Sequence, residues 1–256
     1  MRRSRSTKAQ HSTEEWEATA RRVLSHWRHL DSDDEDHLVR QAQELDQTRR
    51  WEGLDGMAVT PEMRAWISTL ASLLTLEVGL RVLADVTSIL VAPTSVTRTT
   101  VQRLGGGTVG ESVACVIGTS LLHGPVRLAW DHVVDDQRSW SRSVVIHEFA
   151  HKIDMADGVG SGTPPIAGHE QTHRFEMAID RALVRVRTTD DPRPLSYYAG
   201  INTAELFAVA TEAFFLRPDA LSARFDELFQ VLELFYRQRP SVTSASPDGP
   251  ESEGGL

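Results

Sequence analysis

The chain holds a single cysteine in 256 residues, which excludes an internal disulfide framework and a cysteine-rich zinc site. That residue, Cys115 in Ser112-Val113-Ala114-Cys115-Val116-Ile117, reads as a small buried hydrophobe. A basic surplus is missing too. Lys and Arg number 27 against 36 Asp and Glu, a formal net charge of −9, which disfavours nonspecific nucleic acid and anionic membrane surfaces. No apolar run reaches bilayer length: Leu70 to Val78 is short and carries Glu77. The basic start (Arg2, Arg3, Arg5, Lys8) runs into Gln10 to Glu15, where a secretory signal needs an apolar stretch. No internal repeat is visible. These absences set the expectation of a cytoplasmic protein with no direct nucleic-acid or membrane partner. At 40% hydrophobic residues the chain has material for one good core.

Local signals lay out the order of elements. Residues 1–11 read as a loose tail, and 241–256, rich in Ser, Pro, Gly and Glu, as a disordered one. The expectation is a single domain over 12–240. Ser12 with Glu15 makes a capping box for a helix carrying Trp16, Ala20, Val23, Leu24 and Trp27 on one face. The acidic run Asp31 to Asp36 suits the positive end of a second helix better than a calcium loop. Thr60-Pro61 opens a third helix, through Met63, Trp66, Leu70, Leu73 and Leu74 to Gly79. Val86 to Val91, Val113 to Ile117 and Val126 to Trp130 read as strands. The last alternates as a sheet edge does, and such an edge can pair with extended peptide. Gly105-Gly106-Gly107 lacks the Lys-Ser/Thr and helix start of a phosphate loop, so a flap or hairpin is expected there.

The chemistry lies further on, in His147-Glu148-Phe149-Ala150-His151. Positions i and i+4 of a helix share a face, so both imidazoles can reach one metal ion. Glu148 lies beside that face, where a carboxylate can take a proton from a water on the metal. A second such motif, His169-Glu170-Gln171-Thr172-His173, competes for the role. The first is set among Val144, Val145, Ile146, Phe149, Ala150, Ile153 and Met155, apolar all round, as in a buried helix. The second follows a Thr163-Pro164-Pro165 loop and Gly168, and its apolar stripe is Phe175, Ile179, Ala182, Leu183 and Val186. His169 and His173 point away from that stripe, towards solvent. The first motif is therefore the candidate, its plain alternative being two core histidines bonded to backbone carbonyls.

Catalytic zinc takes three protein ligands and keeps one position open. Asp157 is one candidate for the third, but Asp154 stands where that spacing wants a turn glycine, and Gly158 reads as the helix stop. Glu205 and Glu212, seven apart and nearly on one helical face, are the others. Asn202 gives Glu205 a competing role in a capping box.

Several segments together resemble the Mlc titration factor A family of zinc metallopeptidases. They are Trp51-Glu52-Gly53, Thr60-Pro61-Glu62-Met63, Ile89-Leu90-Val91, Gly124 to Asp131, Val145 to Met155 and Ala204-Glu205-Leu206-Phe207-Ala208. The glutamate-bearing segment is also similar to the catalytic domain of anthrax lethal factor, where a tyrosine precedes the ligand glutamate by the spacing of Tyr198 and Glu205. The resemblance implies Glu205 as third ligand and Tyr198, with Tyr197 the neighbour to confuse with it, as donor to the developing oxyanion. Glu212 and Asp154 then become residues that hold a ligand imidazole from behind.

The fold expected is α+β: a zincin-like catalytic domain with a helical N-terminal part, a small sheet and the HExxH helix. The expected activity is that of a zinc peptidase, aminopeptidase-like in the resemblance, with one Zn2+ per chain on His147, His151 and Glu205 and with Glu148 as general base. The partner is a peptide or protein substrate. The resemblance also implies a rival reading, a regulatory protein that sequesters a transcriptional repressor of sugar uptake.

Overall fold

A computed structural model describes residues 12–24, 30–104, 108–116, 124–139 and 141–240. Both expected tails, Trp27 and the Gly105–Gly107 tip lie outside them. Helix α1 (Thr13–Val23) opens on the reciprocal capping box: Ser12 Oγ accepts from Glu15 N, and the Glu15 carboxylate accepts from Ser12 N at 2.7 Å. Trp16, Ala20, Val23 and Leu24 are buried along its inner face. Helix α2 (Ser32–Thr48) starts at Asp31, whose Oδ1 accepts from Asp33 N and Asp34 N. The acidic run is thus a helix start, where negative charge meets the positive end of the macrodipole.

Strand β1 (Arg50–Gly53) and helix α3 (Pro61–Thr75) follow. Thr60 caps α3, and every residue from Ala65 to Thr75 is buried. The helix stops one turn before Gly79. There Gly79 N still donates to Thr75 O, but its φ of +81° turns the chain into a 3-10 turn at Leu80–Leu83.

Strand β2 (Ser88–Ala92) begins two residues later than its apolar run, because Val86 N closes that turn on Leu83 O. Strands β3 (Val96–Leu104) and β4 (Thr108–Val116) pair antiparallel, from Val96 opposite Val116 to Leu104 opposite Thr108. The arms of the expected hairpin are therefore present. Strand β5 (Val126–Ala129) gives way at once to helix α4 (Trp130–Ser139), so Trp130 belongs to a helix, not to the strand. The three-stranded sheet is parallel, in the order β1-β2-β5, with Ile89 between Trp51 and Val126. Parallel neighbours need long crossovers, and α3 supplies the first.

The remaining chain is helical: α5 (Val144–Asp154), α6 (His169–Thr188), α7 (Thr203–Leu216), α8 (Pro218–Arg224) and α9 (Asp226–Tyr236). Helix α7 is the axle of this part. All its residues from Leu206 to Phe215 are buried, and it packs on α5, α6, α8 and α9. Phe214 and Phe215 meet Tyr236 at ring-centroid distances of 5.7 and 5.0 Å, and the Tyr236 hydroxyl pairs with Thr211 at 3.0 Å. The architecture is mixed α and β with a small sheet, as expected. Among the described residues no helix is long and apolar enough to cross a membrane.

Candidate metal centre

Helix α5 starts on Ser143, whose Oγ accepts from Ile146 N. Val144, Val145, Ile146, Phe149, Ala150 and Ile153 are all buried, so this helix is fixed on every side. His147 and His151 share one face, with ring centroids 4.8 Å apart and their Nε2 atoms 3.2 Å apart. The third group arrives on α7. Asn202 caps that helix by accepting from Glu205 N at 2.8 Å, but the Glu205 carboxylate does not close the box. It turns to the imidazoles instead, with Oε2 3.2 Å from His147 Nε2 and 3.4 Å from His151 Nε2. These approaches are close without being aligned as hydrogen bonds, and Glu205 Oε2 is a buried oxygen with no hydrogen-bond partner. Three lone-pair atoms thus converge on one point. Among the described residues, His147, His151 and Glu205 form the group able to hold a metal ion.

Glu212, two turns further along α7, backs this arrangement. Its Oε1 accepts from His147 Nδ1 at 2.8 Å, and its Oε2 accepts from Ser143 N at 2.8 Å. One carboxylate so fixes both the imidazole and the start of its helix, leaving Nε2 to face Glu205. Replacing it by Gln removes the charge and one of two acceptor oxygens. Glu212→Gln should weaken metal binding by about 10–100-fold, as read by competition with a chelator.

The electrostatics suit a cation. Burial alone would lower the His147 pKa, but Glu205, Glu212 and Glu148 overcome it and carry it up to about 10. Burial would raise Glu205, yet the two histidines hold it down to about 2. Positive charge is therefore stabilised between these carboxylates. Glu148 is buried, 4% exposed, and its charge acts on His147, Tyr198 and Lys152.

Tyr198 lies on the 3-10 turn Tyr197–Gly200 that leads into α7, half exposed, with its ring 6.0 Å from that of His147. Burial of its hydroxyl, then the Glu205 charge, pushes its pKa up to about 12, so the group stays a donor at neutral pH. Tyr197 points elsewhere, its hydroxyl donating to Asp190 O. Asp154 is fully buried, and its Oδ2 accepts from Gly162 N at 2.9 Å in the loop after α5. Burial, opposed by that bond, raises its pKa to about 6. No hydrogen bond among the described residues joins it to an imidazole. Asp157 is exposed and caps Val159 N, with Gly158 ending the helix at φ +88°. His169 and His173 are exposed on α6, opposite its buried stripe.

Two residues near the centre escape a reading of the sequence. Lys152 is 6% exposed, and its Nζ donates to Gly124 O at 2.7 Å, just ahead of β5. Burial lowers its pKa, against Glu148 and Asp85. A signal existed, since the chain has only two lysines, Lys8 and Lys152. Asp136, on α4, accepts from Val144 N at 2.7 Å at the start of α5, and burial raises its pKa. Nothing local announces that contact.

Comparison with known proteins bears on the kind of protein this is. The model of the glucose-regulated metallo-peptidase M90 family matches residues 1–237. Mlc titration factor A of Yersinia pestis (strain Pestoides F) is 34% identical over 218 residues, 82% of this chain and 80% of that protein. The Mlc titration factor A of Yersinia pseudotuberculosis serotype O:1b (strain IP 31758) gives the same figures. Metallopeptidases work through a bound metal ion, and among the described residues the His-His-Glu cluster is the group with that donor chemistry. The chain belongs to the glucose-regulated metallo-peptidase M90 family, and is a metallopeptidase by kind.

Proposed function

We propose that the protein is a zincin-like zinc peptidase, aminopeptidase-like in its preference, with His147, His151 and Glu205 as ligands. The convergence of Nε2, Nε2 and Oε2 at separations of 3.2, 3.2 and 3.4 Å carries this reading. Tetrahedral zinc with ligands at about 2.0–2.1 Å sets neighbouring donors about 3.3–3.4 Å apart. Two imidazoles also favour zinc over magnesium or calcium, which prefer all-oxygen sites. When bound, zinc supplies a Lewis acid and lowers the pKa of a water in the open position.

The protein groups do the rest. Glu148 takes the proton of the attacking water on its carboxylate and hands it to the leaving amine. Tyr198 donates its hydroxyl to the oxygen on which negative charge develops. The outer edge of β5 offers backbone donors and acceptors to an extended substrate. Purified protein should carry about one zinc per chain and cleave short peptides or aminoacyl anilides, with chelation abolishing and zinc restoring the activity. Normal zinc binding with no cleavage across a broad peptide library would leave catalysis vestigial.

A second reading has its own support, the name of the Yersinia relatives, which speaks of titrating Mlc. In that reading the protein sequesters a transcriptional repressor in the cytoplasm, and hydrolysis is secondary. Pull-down of a repressor equally by wild type and Glu148→Gln, with no cleavage by either, would favour it. Buried Glu148, standing between two ligand positions, favours the enzyme, because structural zinc sites close their fourth position with protein.

A further inference from the structure

The loop between α5 and α6 joins the two halves of the centre at a point that catalysis does not use. Gly162 is buried there with φ +81°, a conformation L side chains rarely adopt. Its N–H donates to Asp154 Oδ2 at 2.9 Å, at the C-terminal end of α5. On its other side there is no room for a side chain. A Cβ would sit 2.3 Å from Thr203 O and 2.8 Å from Ala204 N. The loop backbone therefore lies directly against the first turn of α7, and the next residue is Glu205.

That turn needs fastening. From Leu206 onward α7 is held by the core, but Thr203, Ala204 and Glu205 are only partly buried. Asn202 ties the Glu205 backbone to its own cap, not to α5. One link across to the HExxH helix at this end runs from Asp154 through Gly162 to Thr203. Three donors within 3.4 Å of one another tolerate little drift of one of them.

We infer that Asp154 and Gly162 form a strap that sets the distance between the HExxH helix and Glu205. They are positioning residues, acting on metal binding through the third ligand and not by orienting His151. The inference rests on reading Glu205 as a ligand.

A double-mutant cycle on zinc affinity tests it, with dissociation constants read by chelator competition. Gly162→Ala and Asp154→Ala should each weaken zinc about 10–100-fold with Glu205 present, as lost support for a ligand does. In a Glu205→Gln background the same changes should cost less than about two-fold, since a coupled pair is not additive. Asp154→Asn keeps an oxygen facing Gly162 N and should stay within a few-fold of wild type by the same coupling. Asp154→Ala carries the cycle if Gly162→Ala does not fold. Equal losses in both backgrounds, or none in either, would overturn the strap. Zinc binding that ignores Glu205→Gln in the wild-type loop would instead overturn the ligand assignment beneath it.

Discussion

Glu148→Gln should leave the fold and the metal content intact while cutting peptide hydrolysis by about 10²–10⁴-fold, the usual worth of a positioned general base. The substitution keeps the shape of a side chain that is 4% exposed. It removes a charge that faces Lys152, but Asp85 still opposes that buried ammonium, and Gly124 O still accepts from it. None of the three converging donor atoms belongs to Glu148, so zinc should remain at about one per chain. Tyr198→Phe should likewise keep the metal and lose about 10²–10³-fold in kcat, as one oxyanion donor does. Steady-state rates beside metal analysis of the same samples separate the two effects. Undiminished hydrolysis in Glu148→Gln would remove the proposed base, whereas loss of zinc with activity would make Glu148 a structural member of the centre.

His147→Ala and His151→Ala should each abolish retention of stoichiometric metal through dialysis, and Glu205→Gln should weaken it strongly. His169→Ala, His173→Ala and Asp157→Asn should leave it unchanged. The reason is geometric: three atoms meet within 3.4 Å in the first set, while the second set is exposed and outside the cluster. Removing a ligand also strands the others. Without a cation, Glu205 keeps its charge in a partly buried place only because both histidines pair with it. Inductively coupled plasma measurement of zinc per chain decides the matter. Zinc lost with His169 or His173 and kept without His147 or His151 would move the centre to the other motif.

Local chemistry explains what could be read early. Helix starts are written in a few adjacent residues, so Ser12 with Glu15, Asp31 and Thr60 each announced the helix that follows. The periodicity of α6 placed Phe175, Ile179, Ala182, Leu183 and Val186 inward and its two histidines outward, as they lie. Strand β1 escaped notice because four residues, Arg50 to Gly53, show no β pattern of their own. They pair with β2 across 38 positions, and nothing local encodes that register. Helix α4 was missed because Val126 to Trp130 reads as one alternating strand, and the helix begins at Trp130 directly on its end.

What the sequence by itself determined is the mixed α and β class, the face shared by His147 and His151, and the exposure of the rival pair. These follow from the periods of 3.6 and 2 and from capping, all short-range effects. Whether Glu205 or Glu212 meets the imidazole face was open in the residues alone, since seven positions apart on one helix they look alike. Packing of α5 on α7 decided it: Glu205 reaches both Nε2 atoms, and Glu212 reaches Nδ1 of His147 from behind. Packing also turned Asp154 to the Gly162 loop and buried Lys152 against Gly124 O, just ahead of β5. The choice between Glu205 and Glu212 compares partners some 60 residues from His147 along the chain, and only the three-dimensional fit of whole helices sets which of two similar side chains arrives.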